Sequence, residues 1–338
     1  MNNYKVEHFK TKLGADIFQL PLEAFPNFWA FAYLVYFDGD WVLIDTGSGF
    51  GKNNQDLEEG FKSVGDSIGK EIDFEKILRI FITHGHIDHF GGLNFIKERC
   101  SAKVGVHILD QRSLTNIDER LNLVALRLMR FFLDAGVPTD ETEQLLQLYK
   151  MSKLDFRSIP VDFTIELDNM ELGAFEFLHV PGHCAGQVVI RLHDVVFCGD
   201  HILSDITPHQ APERITMNTG LTHYLNSLNT FESWLDGTNL ALPGHQNPIR
   251  DISKRIGEIR DFHMRRLSQV LDIAKQPKTI QEISSTLFGD TKGYNEILAL
   301  EESGAHVEYL YQRSLLRIEN WGTLSEKNKP LPLLYKRV

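Results

Sequence analysis

The 338-residue chain predicts a mixed protein, α/β or α+β, on three observations. Short runs of β-branched and aromatic residues bounded by turn formers recur over residues 15–107 and again over 160–245. Between them, residues 108–158 lose that pattern and take helical spacing. Beyond residue 250 the pattern is helical almost to the end.

Taken in order, Ile17-Phe18-Gln19-Leu20, Ala32-Tyr33-Leu34-Val35-Tyr36-Phe37 and Trp41-Val42-Leu43-Ile44 are the first predicted strands, and Asp38-Gly39-Asp40 joins the last two as a hairpin. Phe25-Pro26-Asn27-Phe28-Trp29 reads as an aromatic loop, either a plug of the core or a surface leaning over a site. Asp45-Thr46-Gly47 follows the third strand and, on its own residues, is a turn. Helices are predicted over 53–64 and 93–99, with β-rich Arg79-Ile80-Phe81-Ile82 between them and Lys103-Val104-Gly105-Val106-His107 as the next strand.

Residues 108–158 hold two helical segments. The first, Leu121 to Asp134, carries Leu121, Val124, Ala125, Leu128, Phe131 and Phe132 on one stripe and Leu123, Leu126 and Leu133 off it. Such a segment suits a helix wedged into the core, or a lid whose second face covers substrate or a partner subunit. Strands return at Phe163-Thr164-Ile165-Glu166-Leu167, Phe175 to Val180, Gln187 to Leu192, Val195 to Cys198 and Leu240 to Leu242. A long amphipathic helix is predicted from Asp251 to Ala274, a hinge at Gln276-Pro277, then helices at 279–288, 295–302 and 306–319 and a β-ribbon over 322–338 turning around Glu326-Lys327-Asn328-Lys329-Pro330.

Composition sets limits on function. With 42% hydrophobic and 24% charged residues the chain is long enough for one large domain and a small second one, and the net charge of −11 argues against a general polyanion binder. Residues 253–338 hold 14 basic and 11 acidic side chains against 21 and 35 in the remainder, so the carboxyl-terminal part is mildly basic. The start, Met1 to His8, lacks an apolar signal-type core, and Phe28 to Phe37 is too short to span a bilayer. The expectation is a cytoplasmic protein with no membrane partner. Cys100, Cys184 and Cys198 include no Cys-x-x-Cys pair and do not suggest a disulfide framework.

The chemistry concentrates in Thr83-His84-Gly85-His86-Ile87-Asp88-His89-Phe90-Gly91-Gly92, directly after a predicted strand. Imidazole is a borderline-soft nitrogen ligand, and three of them with a carboxylate in one short loop suit divalent metal. Four ligands from one loop cannot close two coordination spheres, so further ligands are required downstream. His183 in Pro181-Gly182-His183, Asp200 in Gly199-Asp200 and His245 in Pro243-Gly244-His245 each follow an apolar run and a glycine. His201 and His209 are candidates to line the pocket, while His179 and His193 fit supporting or merely buried positions.

With His84, His86, Asp88 and His89 followed by His183, Asp200 and His245, the chain resembles the metallo-β-lactamase-fold hydrolases, most closely the glyoxalase II-like and lactonase-like branch. The resemblance spans roughly residues 15–250. It implies a four-layer αββα sandwich (residues 1–250) with a helical insertion at about 108–158, and a winged-helix-like module over 251–338. It implies that His84, His86 and His183 hold one metal, that Asp88, His89 and His245 hold another, and that Asp200 bridges them. It also implies that Asp45 supports the metal loop. Cys184 stands where the family usually has Ser or Thr; the thiol reads as a buried small hydrophobe, a soft ligand or a redox-sensitive group.

The expected cofactors are two divalent ions, Zn²⁺ first and Fe²⁺ or Mn²⁺ as alternatives, since a bridging carboxylate suits hard or borderline ions. Two such ions roughly 3.5–4 Å apart would share a hydroxide that cleaves an ester, thioester or lactone of a small molecule, with Asp88 orienting it as the catalytic carboxylate. A metal-dependent nuclease acting on RNA is the alternative, and a mono-iron persulfide dioxygenase a lesser one. An oxidative di-iron protein is disfavoured because His86 stands where it would carry Glu. Arg313 and Arg317 make a thin basic stripe for a recognition helix, so nucleic acid is a secondary expectation beside packing or a homodimer contact.

Overall fold

The computed structural model describes residues 4–153, 156–166, 170–324 and 332–338. The first sheet is β1 (Glu7–Lys10), β2 (Asp16–Phe25), β3 (Phe28–Phe37), β4 (Asp40–Ile44), β5 (Ile77–Phe81), β6 (Lys103–His107) and β7 (Phe163–Ile165), paired in that order. The second runs β12-β11-β10-β9-β8, with β8 (Met170–Leu172), β9 (Phe175–His179), β10 (Val188–Leu192), β11 (Val195–Gly199) and β12 (Leu240–Pro243). The predicted β3–β4 hairpin is present: Asp38 and Gly39 both take positive φ, 52° and 91°, as a two-residue type I′ turn requires.

The two sheets bury their facing side chains against each other. Ile17, Phe31, Tyr33, Val35, Val42, Ile44 and Phe81 on one side meet Phe177, Val188, Ile190, Val195, Phe197 and Leu242 on the other in a single apolar cluster. Helix α1 (Asn53–Ile68) covers the outer face of the first sheet against β2, burying Leu57, Phe61 and Val64 at helical spacing. On the second sheet the outer layer comes from the Ser227–Trp234 part of α7 (Leu221–Trp234): Arg191 of β10 lies 4.1 Å over the Trp234 ring, and Leu228 and Phe231 are fully buried. The result is the predicted four-layer sandwich.

Strand direction then decides where function can sit. β4, β5, β6 and β7 are mutually parallel, as are β11 and β12, so their carboxyl ends emerge at one edge of each sheet. The loop after β5 bonds to the second sheet through Val188 N–H donating to Thr83 O at 2.9 Å. From that edge come the short helices α2 (Ile87–Phe90), α3 (Leu93–Lys97) and α4 (Gln111–Thr115).

The described residues of 1–117, 157–208 and 227–256 form one compact unit, which holds both sheets, and those of 118–156, 209–226 and 257–338 form a second. The second contains most of α5 (Ile117–Ala135), together with α6 (Thr139–Met151), most of α8 (Ile252–Ile273), α9 (Ile280–Phe288), α10 (Tyr294–Gln312), α11 (Trp321–Leu324) and a ribbon of β13 (Leu316–Ile318) with β14 (Tyr335–Arg337). The predicted stripe on α5 is buried, while Leu123 and Leu126 are exposed. Among the described residues no helix is long and apolar enough to cross a membrane.

Several sequence expectations change. The aromatic loop 25–29 is a tight hairpin, with only Pro26 and Asn27 in the turn and Asn27 at φ 62°; its aromatic residues are strand residues. The expected helices 295–302 and 306–319 are one helix, α10, followed by strand β13. Gly304 does not break it, because the glycine serves close packing: a Cβ there would lie 2.7 Å from Phe131 Cζ and 2.9 Å from Pro212 Cγ. Leu167 of the expected strand and the expected ribbon tip, 326–330, lie outside the described residues.

Candidate metal centre

Each predicted ligand stands just past a strand end on the shared edge. His84, His86, Asp88 and His89 follow β5, His183 follows β9, Asp200 follows β11 and His245 follows β12. Backbone bonds hold these loops in register: Asp45 N–H donates to Phe81 O at 2.9 Å, Thr46 N–H to His89 O at 2.7 Å, and Gly244 N–H to Gly199 O at 2.7 Å.

All seven side chains converge. They form three overlapping triads whose ligand atoms lie within 4.8 Å of one another: His84, His86 and His183; His84, His89 and Asp200; and Asp88, His89 and His245. His84 Nε2 is 3.1 Å from His86 Nδ1. Asp200 stands between the outer groups, with Oδ1 3.4 Å from His89 Nε2 and Oδ2 3.2 Å from His245 Nε2 and 3.8 Å from His183 Nε2. Asp88 Oδ2 is 3.3 Å from His245 Nε2 and 3.8 Å from His89 Nε2. His84, His89, His183, Asp200 and His245 are buried, whereas His86 and Asp88 are half-buried.

A family model described as the metallo-beta-lactamase superfamily matches residues 30–247, which contain all seven of these residues. The chain belongs to the metallo-β-lactamase superfamily. Its structure is similar to that of a metallo-beta-lactamase family protein from Thermus thermophilus, with a TM-score of 0.75 and 26% identity over 95% of this chain and 98% of that one. Its sequence is 23% identical over 272 residues to a Caenorhabditis elegans protein named beta-lactamase-like protein 2 homolog, covering 79% of this chain and 74% of the relative. It is 26% identical over 123 residues to an atrochrysone carboxyl ACP thioesterase of Aspergillus chevalieri, covering 33% of this chain and 37% of the relative.

Members of this superfamily are mostly metal-dependent hydrolases, and the fold implies divalent ions. The donor set suits such ions, being imidazole nitrogens and carboxylate oxygens of the kind that bind Zn²⁺ and its first-row neighbours. His89 Nε2 and Asp200 Oδ1 are buried and face each other at 3.4 Å, beyond good hydrogen-bonding distance, and neither atom has a hydrogen-bond partner among the described residues. A cation between them would satisfy both.

Three of the imidazoles are aimed from behind. His89 Nδ1–H donates to Asp45 Oδ2 at 2.8 Å, His84 Nδ1 pairs with Thr83 Oγ1 at 3.1 Å, and His245 Nδ1–H donates to the Trp29 carbonyl at 2.6 Å. Each bond turns the Nε2 lone pair of its ring into the cluster. Asp45, at φ 60°, also accepts from Thr83 N–H and Thr83 Oγ1–H, each at 2.8 Å, so it is more than the plain turn its residues suggest.

Charge is balanced within the site. Burial, reinforced by His89 and His86, pushes the His84 pKa well below that of free imidazole and keeps its lone pair available. For His245 burial acts downward too, but Asp200 and Asp88 outweigh it and lift the group to about 10; His89 is raised against burial by Asp200, Asp45 and Asp88. Asp88 is lowered against its own burial by His89 and His245, so it is a carboxylate at neutral pH. In the absence of cations, protons on His89 and His245 offset the carboxylate charge.

Other histidines have partners of their own. His201 is fully buried edge-on to Phe231 at 5.1 Å, and burial takes its pKa down to about 3. His179 Nε2–H donates to Ala185 O at 2.8 Å and its ring stacks on His107, while His193 pairs with Thr11 Oγ1 and His209 with Glu301. Cys184 is buried, and its thiol donates to Asp110. Two contributors escape a reading of the sequence: the Trp29 carbonyl, which has no side-chain signature, and Asp110. The latter could have been sought as an acidic residue just past the end of β6 on the edge that carries the ligands.

Proposed function

We propose that the chain is a binuclear metal-dependent hydrolase, with Zn²⁺ as first choice, that cleaves an ester, thioester or lactone of a small and largely apolar molecule. The observation that carries the reading is the single cluster of seven metal-ligating side chains on one sheet edge, in three triads that share His84 and His89. Two divalent ions held there would lower the pKa of a water toward about 7 and withdraw charge from a carbonyl oxygen under attack.

The chain's own residues supply the rest. Asp88, ionised and half-buried, accepts a hydrogen bond from the attacking water and so aims it. Phe28 lies 4.7 Å from the His245 ring, and Phe25 lies 6.3 Å from both Phe28 and Phe50. Phe28 and Phe50 are each 45% exposed, which leaves apolar surface beside the ligands for an acyl group. The similarity to a fungal thioesterase points the same way. An apolar shelf on a chain of net charge −11 favours acyl over nucleic-acid substrates, and with them the glyoxalase II-like and lactonase-like branch.

Elemental analysis joined to a hydrolysis panel of thioesters, lactones, aryl esters, phosphodiesters and RNA tests this, run beside His86→Ala and Asp200→Ala. Acyl substrates should turn over in the parent protein and by at least about 100-fold less in both variants. Full activity in both variants, or cleavage of RNA alone, would contradict it.

A further inference from the structure

Asp110 is 2% exposed and lies in the loop between β6 and α4, outside the seven-residue cluster. Its Oδ2 accepts from the Gly85 N–H at 2.7 Å and from the Cys184 thiol at 3.1 Å, and its Oδ1 accepts from the Gly186 N–H at 3.0 Å. Gly85 separates His84 from His86, while Cys184 and Gly186 belong with His183 to the loop between β9 and β10. One carboxylate thus ties together the two loops that carry the His84, His86 and His183 triad. None of these three bonds is made to α2, which carries Asp88 and His89, or to the segment of His245 after β12. The approach is close on both sides: a Cβ on Gly186 would lie 2.6 Å from Asp110 Cγ, and one on Gly85 3.1 Å from the same atom.

The geometry points to Asp110 as a positioning residue that presets one of the two metal positions, the one built from His84, His86 and His183. This assignment rests on the two-ion reading above. Its physical basis is that a fully buried carboxylate accepting three hydrogen bonds fixes two separate backbones with one rigid group. Cations bind tightly where the donors are already in place, because little ordering remains to be done on binding. Asn has nearly the same shape as Asp, but its amide group turns a donor toward at least one of the three donors it must face.

The test is stepwise Zn²⁺ titration of the metal-stripped full chain against a chelator of known affinity, for the parent and Asp110→Asn. One of the two dissociation constants should rise about 10- to 100-fold, while the other changes less than about 3-fold. The Co²⁺-loaded variant should show altered visible bands for that one position. A parallel pair keeps the idea testable should Asp110→Asn fail to fold: Cys184→Ser, which retains a donor to Asp110, should bind Zn²⁺ more tightly than Cys184→Val, which does not. Equal loss at both positions, no loss at either, or Ser and Val variants of equal affinity would overturn the assignment, as would a parent protein that takes up fewer than two ions. A parent that binds two ions yet hydrolyses nothing in the panel would remove the hydrolase reading and leave the Asp110 assignment standing.

Discussion

His89 and Asp45 are bonded Nδ1 to Oδ2 at 2.8 Å, with the histidine 0% and the aspartate 2% exposed. Because Asp45 also accepts from the N–H and hydroxyl of Thr83, removing its carboxylate strands several buried donors at once. Asp45→Ala should lower the unfolding free energy of the metal-free protein by about 3–5 kcal/mol, measured by urea denaturation. It should also weaken metal binding about 10- to 100-fold. An exposed-site effect, below about 0.5 kcal/mol, would show that the bonds carry little.

The Phe28 ring lies 4.7 Å from the His245 ring, tilted 50° to it, and is 45% exposed, so it can contact the apolar part of a substrate without holding the fold together. Phe28→Ala should raise KM for long-chain acyl substrates about 5- to 30-fold, equivalent to about 1–2 kcal/mol of lost apolar contact, and change short-chain kinetics little. Steady-state kinetics over a chain-length series decides it. A uniform fall in kcat at every length would place Phe28 outside substrate contact.

Gly304 offers a prediction in which helix propensity and packing have opposite signs. In an exposed helix Gly→Ala stabilises by about 1 kcal/mol. Here the added methyl meets Phe131 Cζ at 2.7 Å, so Gly304→Ala should destabilise by about 1–3 kcal/mol. Combining it with Phe131→Leu should recover part of that loss, and a double-mutant cycle by urea denaturation measures the coupling.

Glu296 yields a pH dependence. Its own burial, followed by the hydrogen bond and the like charge of Glu141, raises its carboxyl from the ordinary 4.5 to about 7. A raised carboxyl pKa means that the folded protein holds the proton more tightly than the unfolded chain does. Its favourable contribution is therefore present below pH 4.5 and lost as pH rises through about 7. Glu296→Gln stays neutral throughout, so its melting temperature should match the parent at about pH 4 and exceed it at about pH 8. A difference that did not change with pH would show that the pair is not titrating.

Much of the site is legible in the residues because metal ligation admits few side-chain types, and strand ends followed by glycine are where a sheet presents them. His84 to His89 in one loop demanded partners, and His183, Asp200 and His245 answered at matching strand ends. What supports the ligands is harder to read. Asp110 is one acidic residue among many until β6 is seen to lie parallel to β5, and the Trp29 carbonyl belongs to a backbone group that every residue possesses. The fold followed alternation where one face was polar, and misreadings arose where close packing overrode local preference. The break expected between 302 and 306 is closed where Gly304 packs against Phe131 and Pro212, and Phe25 to Trp29 holds only the two-residue turn Pro26-Asn27 between aromatic strand residues.

Calorimetric titration of the metal-stripped protein with Zn²⁺, in two buffers of different ionisation enthalpy, tests most directly whether the seven side chains hold two cations. With His245 raised to about 10 by Asp200 and Asp88 against burial, and His89 raised as well, the cations must displace protons. The predicted result at about pH 7 is two ions per chain with net proton release, which disappears with one of the ions in His245→Ala. Uptake of one ion or none, or binding with no proton release, would contradict it.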